Sequence, residues 1–206
     1  NLMLMLMLSK KILKFFLVVS ISFCFISNSF SYEPKEFVQL TVDRASDALK
    51  NSISDEEKKE KLKIIAKETL DIRGIGYYSL GAHRKTLSKD KKNEYLNIFE
   101  QYFLKSFSSR LAQYADPKIR VDSQKKLNDK YTMVSSVLVA TKDKPEIKID
   151  WRIKTKNPDN PLIIDVVIEG VSLAKVQREE FNSIIQNNDG DINALFNNLM
   201  EFVKKN

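Results

Sequence analysis

Histidine and cysteine are almost absent from this chain: its 206 residues hold one of each, His83 and Cys24, with a single tryptophan and five glycines. Cys24 lies in an apolar run near the start, so residues 32–206 carry no thiol. That excludes disulfides, thiolate metal sites and thiol catalysis from this part of the chain. His83 has no second histidine and no cysteine with which to share a metal ion or a proton, so it is expected to be a surface or partly buried helix residue. The serines lack a G-x-S-x-G elbow. Gly74, Gly76 and Gly81 are wrongly spaced for a dinucleotide loop, follow a helical pattern rather than a strand, and have no βαβ unit around them. Asp165 and Glu169 are the nearest thing to a carboxylate pair. Positions four apart in a strand are about 13 Å apart, wider than the roughly 5–9.5 Å used by paired-carboxylate glycosidases. The expectation is a chain that is not an enzyme and holds neither metal nor cofactor.

Long apolar runs are equally scarce. The longest near the N-terminus, Phe15 to Ile26, follows Lys10, Lys11 and Lys14 and ends at Ser27-Asn-Ser-Phe-Ser31. A basic segment, a short apolar core and small residues at alternate positions have the layout of a secretory signal peptide, with cleavage expected after Ser31. The run falls short of the about 20 apolar residues that a membrane span needs. Phe23 stands where a lipoprotein signal requires a small residue before Cys24, so lipid modification is not expected. Residues 1–31 carry three lysines and no acid, which leaves 31 basic against 27 acidic residues and lowers the net charge from +7 to +4. Lys58, Lys59, Lys61 and Lys63 alternate with Glu56, Glu57 and Glu60, and Lys89, Lys91 and Lys92 with Asp90 and Glu94. Solvated helix faces explain such mixtures better than a nucleic-acid surface. The expected localisation is outside the cytoplasm, and residues 32–206 are long enough for one domain with a sizeable core.

Within those residues the first half reads as helix. Pro34 suits a first turn, and Phe37, Leu40, Thr41, Ala45, Ala48 and Leu49 recur at helical spacing. Ser54-Asp-Glu-Glu57 forms a capping box for a second helix through Leu62, Ile65, Ala66 and Thr69. Gly74 and Gly76 are read as a break, followed by a short helical piece to Gly81. Ser88 can cap a longer helix with the stripe Tyr95, Ile98, Phe99, Tyr102, Phe103, Phe107, Leu111 and Tyr114, stopped by Asp116-Pro117. Then the period changes to two. Strands are expected at Ile119–Val121, Tyr131–Ala140, Ile147–Lys154 and Leu162–Ile168, with turns at Asp143–Pro145 and Asn157–Pro161. Short turns between successive strands favour an antiparallel meander. Ser172 and Asp191 can cap two closing helices. The fold class is α+β: a curved antiparallel sheet of about four strands with N- and C-terminal helices on one face.

Two stretches carry a resemblance to a known family. One is Leu80-Gly81-Ala-His-Arg-Lys-Thr86 with Tyr95, Ile98, Phe99, Phe103, Phe107 and Leu111 following at fixed intervals. The other comprises Ile149-Asp-Trp-Arg-Ile153, the run Asp165-Val-Val-Ile-Glu169-Gly-Val-Ser-Leu173, Arg178 with Phe181, and Gly190 with Leu195 and Leu199. Together they resemble the MlaC (toluene-tolerance) family of periplasmic phospholipid-binding proteins over about residues 34–204. The resemblance implies an NTF2-like sheet and helices enclosing an apolar lipid cavity. It implies phospholipid as ligand, an inner-membrane MCE-domain protein of an ABC lipid transporter and an outer-membrane lipoprotein complex as partners, and service as a monomeric shuttle that preserves outer-membrane lipid asymmetry. Acyl chains would then lie against Phe99, Phe103, Phe107, Val137, Val139, Ile147, Ile149, Trp151, Ile153, Val166 and Ile168, with Arg84 and Lys85 near the mouth. The same apolar stripes also suit an NTF2-like structural or interaction module with a filled interior and no lipid.

Overall fold

The computed structural model describes residues 33–205 apart from Asn51 and Asp143, so the expected export signal lies outside the described residues and the Asp143–Pro145 turn lies partly outside them. Helices come first: α1 (Pro34–Ala48), α2 (Asp55–Thr69), α3 (Ile72–Ser79), a 3-10 turn (Gly81–Lys85) and α4 (Lys89–Leu111). A sheet follows, formed by β1 (Ile119–Asn128), β2 (Tyr131–Leu138), β3 (Ile147–Lys154), β4 (Leu162–Ile168) and β5 (Val171–Ser172), and α5 (Leu173–Gln186) and α6 (Ile192–Lys204) close the order. The strands lie in sequence order and every neighbouring pair is antiparallel. This is the expected α+β meander, extended by a fifth strand of two residues.

Capping residues mark the helix starts. Ser54, Ser88, Ser172 and Asp191 accept hydrogen bonds from the backbone N–H of Glu57, Lys91, Lys175 and Asn193. Such caps satisfy donors that the first helical turn leaves orphaned. Glu57 pairs with Lys61 at 2.9 Å, one turn further along its own helix. On α1 the buried stripe is Val38, Thr41, Val42 and Ala48, while Leu40 is exposed. The expected stripe was rotated by part of a turn, because Leu40 and Val42 both fit a helical period and only packing chooses between them.

Gly74 and Gly76 do not break a helix; they sit inside α3. Asp71 caps that helix by accepting from the N–H of Gly74 at 3.0 Å, and a Cβ at Gly74 would meet this same carboxylate. At Gly76 a Cβ would stand 2.7 Å from a ring carbon of the fully buried Phe99 and 3.1 Å from Leu96. Glycine here allows α3 to lie directly on α4. Gly76→Ala is therefore expected to destabilise by about 1 kcal/mol, since overpacking of about 1–3 kcal/mol outweighs a helix-propensity gain of about 1 kcal/mol. A thermal unfolding curve displaced downward by a few degrees, roughly 2–4 °C, is the check. An upward displacement would show that the contact yields.

Sheet register decides which residues face the helices. Thr132 pairs with Ile153, Val134 with Trp151 and Ser136 with Ile149, and across the next ladder Trp151 pairs with Val166 and Ile149 with Ile168. Val121, Val134, Ile153 and Ile163 thus share the face that joins the main core with Tyr95, Leu96, Phe99, Phe181, Phe196 and Leu199 from the helices. Lys148, Asp150, Arg152 and Lys154 occupy the other face, where Ser135 donates to Asp150 at 2.6 Å. Ile164 is an extra residue between the Arg152–Asp165 and Ile153–Ile163 pairs, a bulge that re-aims the middle of β4.

The run Asp165 to Leu173 has an architectural explanation. Glu169 and Gly170, both at positive φ (48° and 82°), form a two-residue hairpin between Ile168 and Val171. Left-handed backbone at both central positions is what such a tight hairpin requires. Asp165 lies on β4 beyond the short β5, where its carboxylate accepts from Ser172 Oγ at 2.7 Å, Ala174 N at 3.0 Å and Arg152 Nη1 at 3.4 Å. One buried acid therefore ties the sheet edge to the first turn of α5. Glu169 is exposed and accepts from Lys148 N, so the two acids do separate structural work.

Candidate functional site

A cleft of about 210 Å³ opens where α3, α4, β4 and α5 converge. Its lining is mostly apolar: Leu70 and Ile75 from the α2–α3 region, Phe103 and Phe107 from α4, Ile163, Ile164 and Val166 from β4, and Leu173 and Val176 from α5, with the hydrogen-bonded Asp165 of β4 among them. Phe103 and Phe107 lie one helical turn apart with their rings stacked 5.7 Å apart, forming one continuous wall. Leu173 and Val176 are 46% and 45% exposed, so apolar surface continues from the interior to solvent. The rim is polar. Tyr102, Ser106 and Arg110 come from α4, Gln177 and Glu180 from α5. Tyr102 donates from its hydroxyl to Gln177 Oε1 at 3.5 Å, and the Gln177 amide donates to Glu180 Oε2 at 3.1 Å.

Of the residues that sequence reasoning assigned to a pocket, Phe103, Phe107 and Val166 line this cleft. Phe99 is wholly buried behind it, in ring contact with Tyr95, Tyr102, Phe103 and Phe181. Ile149 and Ile153 are buried on the helix-facing side of the sheet, and Ile147, Trp151 and Ile168 share that side in partly buried positions, but none of these reaches the cleft. The Trp151 indole donates to Ser136 Oγ at 2.8 Å. Val137 pairs with Lys148, which places it on the opposite face of the sheet, and Val139, just past the end of β2, is not in the cleft lining. Arg84 and Lys85 are exposed on the 3-10 turn and are not in the cleft lining, and Arg84 donates to Tyr77 O at 3.4 Å.

The rim residues went unnoticed in the sequence, although a signal existed. Ser106 and Arg110 fall three and seven positions after Phe103, on the same helix face as Phe103 and Phe107. A polar interruption at the end of an aromatic stripe marks where that stripe meets water. Leu173 and Val176 had no such mark, because only the packing of α5 on β4 makes them cleft residues.

A second hollow, about 470 Å³, lies on the other flank of α5 between Tyr78–Ala82 and Lys175, Arg178, Glu179 and Asn182. It is the larger of the two, but charged side chains line much of it. Arg178 lies over the Tyr78 ring at 5.4 Å, and a Cβ on Gly81 would come within 2.9 Å of its Nε. That close approach, with φ +56° at Gly81, explains the glycine in the Leu80-Gly81 motif. His83, partly buried, is hydrogen-bonded with Asn182 at 3.2 Å.

Burial raises the pKa of two phenols, Tyr95 in the core and Tyr102 in the cleft lining. Tyr95, whose hydroxyl donates to Gly76 O at 3.2 Å, is held far above the ordinary tyrosine range by desolvation. Tyr102 is raised first by desolvation and then by the Glu180 carboxylate. Each raised phenol favours folding below its unfolded pKa of about 10. Stability is thus expected to fall as pH rises above about 10, because the unfolded chain loses those protons first. Urea midpoints measured from pH 8 to 11 check this; a flat profile above pH 10 would refute it.

A family model described as MlaC protein matches residues 39–201. The chain belongs to the MlaC family. None of the curated proteins compared with it matches. Among solved structures, the fold is similar to that of a phospholipid-binding protein from Ralstonia solanacearum, determined in complex with a phospholipid. The two are 15% identical, with a TM-score of 0.68, over 84% of this chain and 97% of that one. Membership of the MlaC family agrees with the Asp165–Leu173 run and the helix stripe being built into the architecture described above. Among the described residues, no helix is long and apolar enough to cross a membrane, and no group of three or more His, Cys, Asp or Glu side chains is placed to hold a metal ion.

Proposed function

We propose that this MlaC-family chain is a periplasmic phospholipid carrier that shelters acyl chains in the cleft between α4, β4 and α5 and catalyses no reaction. The apolar cleft with its polar rim is the observation that supports this reading. At about 0.8 kcal/mol per methylene, a sixteen-carbon chain needs on the order of 12 kcal/mol of shelter from water. The 210 Å³ cleft is smaller than the roughly 300–1,000 Å³ usual for small-molecule sites, so loading requires its walls to part. Phe181 and Ile185, the buried residues of α5, lie in the helix's C-terminal half, whereas Leu173 and Val176 in its N-terminal half remain exposed along the cleft. An acyl chain lying along these two side chains covers surface that is otherwise wet. Family membership and the Ralstonia neighbour's phospholipid support lipid as the ligand.

The full proposal includes a cleavable signal at residues 1–31, a single domain at 32–206 and action as a monomer. Lipid would pass between an outer-membrane lipoprotein complex and an inner-membrane MCE-domain protein of an ABC transporter. Native mass spectrometry of residues 32–206, purified without detergent, tests the carrier reading. Copurified phospholipid, or uptake from vesicles, is the expected result. A protein that carries none and takes up none would overturn it in favour of a filled structural module.

A further inference from the structure

We propose that the cleft rim selects a zwitterionic head group, with Arg110 meeting the phosphate and Glu180 meeting a primary ammonium. The inference rests on the carrier reading and adds a ligand class to it. Arg110 and Glu180 line one cleft from opposite walls, α4 and α5, and no ion pair joins them among the described residues. Both exert their charge on the same phenol: Glu180 raises the pKa of Tyr102 and Arg110 lowers it. The cleft therefore carries one charge of each sign in its lining, and neither neutralises the other through direct contact.

Glu180 is also held in place. The buried Tyr102 hydroxyl orients the Gln177 amide, which donates to the Glu180 carboxylate at 3.1 Å. A carboxylate positioned by a relay from the core is better suited to recognition than one swinging freely in solvent. Its remaining lone pairs accept hydrogen bonds from an ammonium. Arg110, opposite, presents a guanidinium whose planar fork suits phosphate oxygens. With the acyl chains in the apolar interior, a phosphate and an ammonium joined by a short linker meet complementary charges. Phosphatidylethanolamine has this chemistry. Phosphatidylglycerol keeps the phosphate but offers Glu180 no cation. Phosphatidylcholine keeps the cation but no N–H donor.

The test uses residues 32–206 incubated with equimolar phosphatidylethanolamine and phosphatidylglycerol vesicles of matched acyl chains, with bound lipid read by native mass spectrometry. Because both rim groups are exposed, discrimination is expected to be roughly threefold to fivefold in favour of phosphatidylethanolamine. It should shrink as salt is raised. Glu180→Gln should bring the ratio to about one by lowering the phosphatidylethanolamine load toward that of phosphatidylglycerol, whereas Arg110→Gln should lower the loading of both lipids because both carry phosphate. Phosphatidylcholine should bind between the two. Lipid bound in the vesicle ratio by the unaltered protein, or an unchanged preference in Glu180→Gln, overturns the selection while leaving the carrier intact. Failure to bind any lipid overturns the carrier reading, and the selection with it.

Discussion

Phe107→Glu is expected to abolish phospholipid retention while leaving the chain folded. Phe107 is partly buried, stacks on Phe103 and lines the cleft. A carboxylate there can stay hydrated through the open side of the cleft, so the cost to the fold stays below the about 3–5 kcal/mol of removing a fully buried aromatic ring. For a bound lipid the effect is larger. Water kept around the charge displaces at least two methylenes, at about 0.8 kcal/mol each, which already exceeds a tenfold loss of affinity. Phe107→Leu keeps an apolar surface and should retain lipid. Native mass spectrometry gives the lipid load, and circular dichroism shows whether the fold persists. A folded Phe107→Glu protein with an undiminished load would mean that acyl chains do not use this cleft.

The second large effect is expected at Asp165. Its side chain is 3% exposed and accepts from Ser172, Ala174 and Arg152. Asp165→Ala leaves the Ala174 N–H and the Ser172 hydroxyl without that partner, and leaves the half-exposed Arg152 to solvent. Losing hydrogen bonds to a buried charge puts the cost at about 3 kcal/mol. In urea this should lower the midpoint by at least about 1 M without changing the slope. Asp165→Asn, which keeps an acceptor but loses the charge, should cost less. Ser172 also caps α5, so loosening it frees the helix that carries Leu173, Val176, Gln177 and Glu180. Lipid retention should fall along with stability. A midpoint within experimental error of the unaltered protein would show that the sheet edge and α5 hold together without this acid.

Legibility varied along the chain for physical reasons. Helix starts at Ser54, Ser88, Ser172 and Asp191 were readable because capping is local chemistry between residues two or three apart. The strand at Ile147–Lys154 was readable because it alternates cleanly between a helix-facing and a polar face. β1 was read only to Val121, yet it runs to Asn128. Its second half, Asp122 to Asn128, is exposed throughout, so no buried face imposes a hydrophobic alternation. It is a strand because β2 offers it a ladder, and Lys35 at the start of α1 reaches across to Asp122 O at 2.8 Å. The α3 glycines misled for the converse reason: Gly76 weakens a helix in isolation but is required where Phe99 presses on it.

On its own, the sequence determined the order of elements, the α+β class, the family resemblance and the poverty of groups for acid-base, thiol or metal chemistry. These follow from short-range caps, from the two periodicities of the backbone and from composition. Tertiary structure alone decided which apolar residues form a wall and which fill the core. Phe99 and Phe103 are four positions apart on one stripe, but Phe99 is sealed by Tyr95, Tyr102 and Phe181 while Phe103 faces the cleft. Periodicity states which side of an element is apolar. Whether that side meets another side chain or open space depends on contacts between residues far apart in the chain, which no local pattern encodes.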